Sequence, residues 1–168
     1  VIGLQAHMHG GTWSNQKLWT VCQRFAAFKK PIHFTELTIL SGKKGWNRPK
    51  PWLSSKKGEA QQAIDAKRVY TLLFSHPSVE AITWWNMSDA HAWMQAPAGL
   101  LNKDMTPKPA YNVLKKLITK DWRTETNITT NADGQATFRG FHGRYKLTVT
   151  TPTGQQKQFE NLEIRKTP

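Results

Sequence analysis

A single cysteine, Cys22, occurs among the 168 residues, so no disulfide can close within the chain, and one thiol says little about redox compartment. No apolar run reaches the roughly 18 residues that a membrane-spanning helix needs, so that signal is missing. Acidic side chains are scarce: 11 Asp and Glu stand against 24 Lys and Arg, a formal net charge of +13. Such a surplus raises nucleic-acid binding as a function class. Yet the basic residues are scattered through Lys29-Lys30, Lys43-Lys44, Lys56-Lys57, Lys115-Lys116 and the tail. No helix-turn-helix, zinc-finger or RNP-type pattern accompanies them, which argues against specific nucleic-acid binding. An initiator methionine, a charged leader and an apolar targeting stretch are also lacking. Val1-Ile2-Gly3-Leu4 reads as beginning inside a strand, so the chain is expected to be part of a longer protein.

Metal-ligand clusters are equally thin. His7 and His9 have an H-x-H spacing and His33 lies on a neighbouring strand-like segment, but no second cluster completes a site. No metal and no cofactor are expected.

What is present is a repeated strand, loop and helix. Val1–His7, Lys30–Leu37 and Val79–Trp85 are strand-like, and each is followed by helical periodicity. Ser14 or Asn15 can cap the first helix, whose apolar stripe is Leu18, Val21, Cys22, Phe25 and Phe28. Ala63, Ala66, Tyr70, Leu73 and Phe74 form the second stripe. The third helix starts near Pro107 or Pro109, where proline suits a first turn, and carries Tyr111, Leu114 and Leu117 inward. Three βα units in a row predict a parallel sheet.

Glu36 is the one carboxylate within the strand-like Lys30–Leu37 segment, at the point where strand becomes loop. A parallel α/β barrel keeps its catalytic groups there, and a carboxylate among apolar neighbours needs a reason. Either it pairs with a nearby cation or it does chemistry. Tryptophan is the other abundance, with eight residues. Sugar rings stack their C–H faces on aromatic rings, which suits Trp46, Trp52, Trp84, Trp85 and Trp93 at or beyond the carboxyl ends of the two later strands. Core packing suits Trp19 and one of Trp84 and Trp85. Trp46 and Trp52 occupy the long Leu40–Gly58 loop, and loops of that length are commonly functional.

Gln5-Ala6-His7, Thr35-Glu36-Leu37, Ile82-Thr83-Trp84-Trp85 with Asp89 and Trp93, and Pro107-Lys108-Pro109-Ala110-Tyr111 resemble, in order and spacing, the last strands of glycoside hydrolase family 10 xylanases. The likeness covers about residues 1–118. It implies an α/β fold in which residues 1–120 are the last three βα units of a TIM (β/α)8 barrel. It implies Glu36 as the nucleophile of a retaining endo-β-1,4-xylanase, with His7 hydrogen-bonding it. Gln5, Trp85, Asp89 and Trp93 are implied to meet the substrate, a β-1,4-linked polysaccharide such as xylan, and Trp46 and Trp52 join them on the loop argument. A secreted or periplasmic location is implied by the resemblance alone. On this view the positive charge either suits acidic xylan or, the preferred reading, keeps the protein soluble.

Two departures matter. The acid/base Glu of the family sits in an Asn-Glu motif upstream, and no Asn-Glu pair occurs in this chain. A closed barrel takes about 250 residues, so the chain is expected to lack the first five strands, and with them the acid/base half and hydrolytic activity. Thr38 also stands where an Asp usually follows the Leu of the Thr-Glu-Leu motif. A non-catalytic carbohydrate-binding relative is the alternative function, ahead of a nucleic-acid binder.

After Asp121-Trp122 the composition changes. Thr137–Phe141, Tyr145–Val149 and Phe159–Ile164 alternate like strands, with turns at Asn131–Gly134 and Pro152–Gly154. Residues 121–168 are expected to form a small all-β, sandwich-like module that caps the barrel or binds carbohydrate.

Overall fold

A computed structural model of the chain describes residues 1–45 and 50–165. Two compact units are present, Val1–Leu117 and Ile118–Pro168.

The first unit is built from three parallel strands in the order β1-β2-β3: β1 Ile2–Met8, β2 Ile32–Ile39 and β3 Val79–Trp84. Helix α1, Asn15–Ala26, follows β1, helix α2, Lys56–Ser75, follows β2, and helix α3, Pro109–Lys116, follows β3 and its loop. Local chemistry starts each helix. The Ser14 hydroxyl accepts from the Lys17 amide at 3.2 Å, satisfying one of the first-turn donors of α1. Ser55 does the same for α2 through the Gly58 amide, and Pro109 occupies the first turn of α3, where its missing N–H costs nothing.

The core lies between the sheet and the helices. Ile32, Phe34, Leu37 and Ile39 of β2, Leu18 and Cys22 of α1 and Ala66, Val69 and Leu73 of α2 are all fully buried, and both helices pack on β2. Burying each large side chain contributes about 1.5–3 kcal/mol, so the helices are held by this face rather than by propensity. Burial also pushes the Cys22 thiol up to about 11, as expected for a packing residue. Phe28 and Phe74, assigned to the stripes, remain exposed at the stripe margins. Trp19, expected in the core, lies at the surface of α1, edge-on to His76 with ring centroids 4.8 Å apart.

One irregularity in the sheet positions the site. Leu4 pairs with Phe34, but the next residue of β1, Gln5, pairs with Glu36, so Thr35 is an extra residue in β2. On the other side Phe34 and Leu37 pair with Ile82 and Trp84, again three residues against two. A bulge of this kind re-aims side chains. Strict alternation would put Glu36 on the same face as Phe34, in the core. The bulge turns it to the opposite face, beside Gln5.

The second unit is a two-stranded antiparallel sheet, β4 Gly143–Thr150 and β5 Gln156–Ile164. Gly134 at φ 76° and Gly154 at φ 83° form the expected turns. The expected third strand, Thr137–Phe141, is not one: the segment is irregular, held by the Tyr145 hydroxyl donating to the Phe141 carbonyl at 2.6 Å. No described residue from Ile118 onward is buried. The expected sandwich is therefore corrected to a hairpin, because one pair of strands presents no second layer to bury against.

Candidate active site

Glu36 sits at the carboxyl end of β2 with both carboxylate oxygens engaged. The Gln5 side-chain amide donates to Oε1 at 3.0 Å, and His7 Nε2 lies 3.0 Å from Oε2. His7 Nδ1 is 3.3 Å from the hydroxyl of Thr38, which is fully buried. The in-register pairs Gln5–Glu36 and His7–Thr38 make this line of contacts a direct product of the parallel sheet and its bulge. About a quarter of the His7 and Glu36 side-chain surface is open to solvent, so the carboxylate is oriented yet reachable.

Aromatic rings surround His7. Trp93 stacks on it with centroids 6.1 Å apart and planes at 29°, and Trp85 meets it edge-on at 6.4 Å. Trp93 also stacks on His9 at 5.7 Å. Trp85 is 41% exposed and Trp93 53%, both far above what core packing leaves open, so part of each indole is available to an apolar ligand surface. The loop that carries Trp93 is held in an unusual backbone path: Asn86 at φ 75°, Met94 at φ 58° and Gln95 at φ 54° are left-handed non-glycine residues. Asn86 Oδ1 accepts from the Trp93 amide at 3.1 Å, which anchors that path. Strain of this type costs about 1–3 kcal/mol per residue and clusters at functional sites.

Two expectations are altered. Asp89 does not face a ligand. It is buried, with Oδ2 at 2.6 Å from Lys108 Nζ and Oδ1 accepting from the Gly99 amide at 2.7 Å. Lys108 is wholly buried and donates to Ser41 Oγ at 3.0 Å, and Ser41 is bonded in turn by Ser54, which also bonds Glu59. Burial holds the Lys108 ammonium below its ordinary value, with Asp89 opposing that shift. These groups knit the loops after β2 and β3 to the start of α3. Trp52, expected to bind substrate, is 7% exposed and packs with Leu40, Ala96 and Ala98 while its indole N–H donates to the Lys43 carbonyl. Its ring lies T-shaped to His9 at 6.1 Å. Trp46 lies outside the described residues. His33, weighed with His7 and His9 as a metal ligand, pairs with Glu80 at 3.6 Å near the amino end of the sheet.

The roles of three positions were not read from the sequence. Lys108, lodged between two prolines, and Gln62, whose amide donates to the Ile39 and Gly99 carbonyls, are buried polar anchors. A lone lysine before an apolar helix stripe was the available signal for the first. Thr38 was noted as a departure, not as a partner of His7. Within Val1–Leu117 the remaining carboxylates are held elsewhere: Glu59 by Ser54, Asp65 by Thr12 and Lys44, Glu80 by His33, Asp89 by Lys108 and Asp104 by Thr106. Among the described residues no group of three His, Cys, Asp or Glu side chains is arranged to hold a metal ion.

Comparison with known proteins places these features. The family described as Glycosyl hydrolase family 10 matches residues 1–117. Anti-sigma-I factor RsgI6 of Acetivibrio thermocellus is 34% identical over 167 residues, 99% of this chain and 20% of that protein. Endo-1,4-beta-xylanase 3 of Arabidopsis thaliana is 25% identical over 91% of this chain and 18% of its own length. The chain thus spans about a fifth of these relatives. Among solved structures, xylanase 10B from Thermotoga petrophila in complex with xylobiose superposes with a TM-score of 0.59 at 22% identity, over 71% of this chain and 36% of that one. Native xylanase 10B from Thermotoga maritima gives the same values. The fold shared with them is a TIM barrel, of which Val1–Leu117 supplies adjacent βα units.

Proposed function

The chain belongs to glycosyl hydrolase family 10, and on that premise we propose that it carries the nucleophile side of a retaining endo-β-1,4-glycanase of xylanase type. The observation that supports this is the Glu36 carboxylate, held by Gln5 and by a His7 that Trp85 and Trp93, both part-exposed, pack against at the end of β2. A glycan ring stacked on those indoles would present its anomeric carbon to Glu36. One Glu36 oxygen forms a bond to that carbon as the glycosidic C–O bond breaks, and the leaving oxygen takes a proton from a second carboxylic acid. Water, deprotonated by the same group, then releases the sugar and regenerates Glu36. Gln5 and His7 each fix one of the two carboxylate oxygens and carry no reacting proton themselves.

No carboxylate of residues 1–117 is free to be that acid, so we place it in the barrel strands that precede this segment in the family. The 168-residue chain should hydrolyse no xylan at a useful rate, because a general acid alone is worth about 10²–10⁴ in rate. The polymeric substrate makes a secreted or periplasmic setting part of the proposal. A second reading is favoured by one observation: the match that runs through 99% of this chain is to a protein named as an anti-sigma factor, not as an enzyme. In that reading the same cleft binds β-glycan without cutting it.

Release of reducing sugar from xylan by a longer protein containing this segment separates the two. Activity that Glu36→Gln removes supports the enzyme. Saturable xylan binding with no sugar released supports the second reading, and hydrolysis by the isolated 168-residue chain overturns the placement of the acid.

A further inference from the structure

His7 stands between two groups whose hydrogen-bonding roles are restricted, and together they determine where its proton lies. On one side an ionised Glu36 can only accept, so the ring nitrogen 3.0 Å away, Nε2, must carry a hydrogen. On the other side Thr38 is fully buried and has no route to solvent. Among the described residues, its hydroxyl has one side-chain or backbone partner, His7 Nδ1 at 3.3 Å. A buried hydroxyl that only accepts leaves its own hydrogen unsatisfied. The hydroxyl therefore donates, and Nδ1 must be unprotonated to receive it.

We propose that Thr38 is a positioning residue that holds His7 as the neutral tautomer protonated on Nε2, so that Glu36 is oriented by two uncharged donors, Gln5 and His7, and keeps its full negative charge. This deepens the glycosidase reading and rests on it for its catalytic meaning, though the proton's position is a property of the chain itself. A doubly protonated ring would conflict with the Thr38 hydroxyl, since two hydrogens would face each other. It would also set a cation against the nucleophile and weaken its attack. The remaining neighbours do not reverse this. Trp85 and Trp93 present ring faces and edges to His7, His9 contributes a second ring 5.8 Å away, and no lysine, arginine or further carboxylate is within hydrogen-bonding distance of either nitrogen among the described residues. Thr38 acts through His7 and touches no substrate.

Nitrogen-detected NMR of the histidine rings in the 168-residue chain at neutral pH tests this without any hydrolysis. The expected result for His7 is one protonated nitrogen, Nε2, coupled to an unprotonated Nδ1. Thr38→Asp, which offers Nδ1 a charged acceptor in place of a donor, should give a ring protonated on both nitrogens at the same pH. Thr38→Ser should retain the native pattern, whereas Thr38→Val should let the two neutral tautomers mix. A native spectrum showing Nδ1–H or an imidazolium overturns the proposal even if no variant folds. So does a Thr38→Val spectrum identical to the native one. Failure of the longer protein to hydrolyse xylan, with the expected His7 spectrum intact, would instead overturn the glycosidase reading and leave the tautomer assignment standing.

Discussion

Glu36 and Asp89 lie at the same end of the same sheet, one closing β2 and the other in the loop after β3, and their surroundings assign them opposite work. Glu36 is part-exposed and held by a neutral amide and an imidazole. Asp89 is buried against the ammonium of Lys108, with its other oxygen occupied by a backbone amide. A carboxylate neutralised by a buried cation has no charge left to offer a ligand, and its removal is felt by the fold. A carboxylate held by an amide and an imidazole, with an open side, keeps an oxygen accessible to a ligand, as the proposed nucleophile requires. The partner, more than the carboxylate, distinguishes chemistry from scaffold.

Substitutions can press that contrast. The largest effect expected is on activity: Glu36→Gln in a longer protein that completes the site should lower kcat by about 10⁴-fold or more, as loss of a nucleophile does. The same change in the 168-residue chain should shift unfolding by only about 0.5 kcal/mol, because the amide still offers His7 an acceptor. A destabilisation of several kcal/mol would make Glu36 a second scaffold carboxylate and erase the contrast.

Lys108→Met should cost about 3–5 kcal/mol in denaturant unfolding, since it strands Asp89 as an unpaired buried charge. Adding Asp89→Asn should recover much of that loss, because the amide oxygen still accepts from Gly99. Single and double variants of equal stability would show that the pair carries no such role.

A smaller loss follows from Gly99→Ala. A Cβ there would stand 2.5 Å from the Asp89 amide nitrogen and the Ser88 carbonyl carbon, both backbone atoms, so the loop must move. About 1–3 kcal/mol is expected, read as a lower melting temperature. An unchanged melt would mean that the Asp89 loop yields freely.

The smallest effect is in pH. Burial makes the His76 ring harder to protonate than an ordinary histidine, so the unfolded chain takes the proton first. The stability contributed by the neutral ring is complete above about pH 6.5 and falls away as pH drops through the depressed native value. Asp65 adds a loss of the same sign at more acid pH: burial opposes ionisation, but the Thr12 hydroxyl and Lys44 together hold its carboxyl below the usual range. Melting between pH 7.5 and 5 should therefore decline more steeply for the native chain than for His76→Phe. Parallel curves would remove His76 as the cause.

Periodicity, caps and punctuation in the sequence were enough to read three βα units, with helix starts near Ser14 and Pro109, while Gln5, His7, Glu36, Trp85 and Trp93 were marked by the resemblance of their motifs to the family. These are local properties: a hydroxyl before a helix or a 3.6-residue stripe acts on neighbours a few positions away. Only the folded chain decided the rest, because each remaining feature depends on contacts between distant segments. The Thr35 bulge, which takes Glu36 out of the core face, arises from pairing β2 to two other strands at once. Asp89 became scaffold through a lysine nineteen positions on, at the start of α3, and Trp52 became core through Leu40, Ala96 and Ala98. The alternating residues after Asp121 carry a strand pattern as clear as that of β1, yet they form a hairpin without a buried residue. Alternation states which side of a strand is apolar, whereas burial requires a second layer to cover that side, and that layer is supplied by tertiary structure alone.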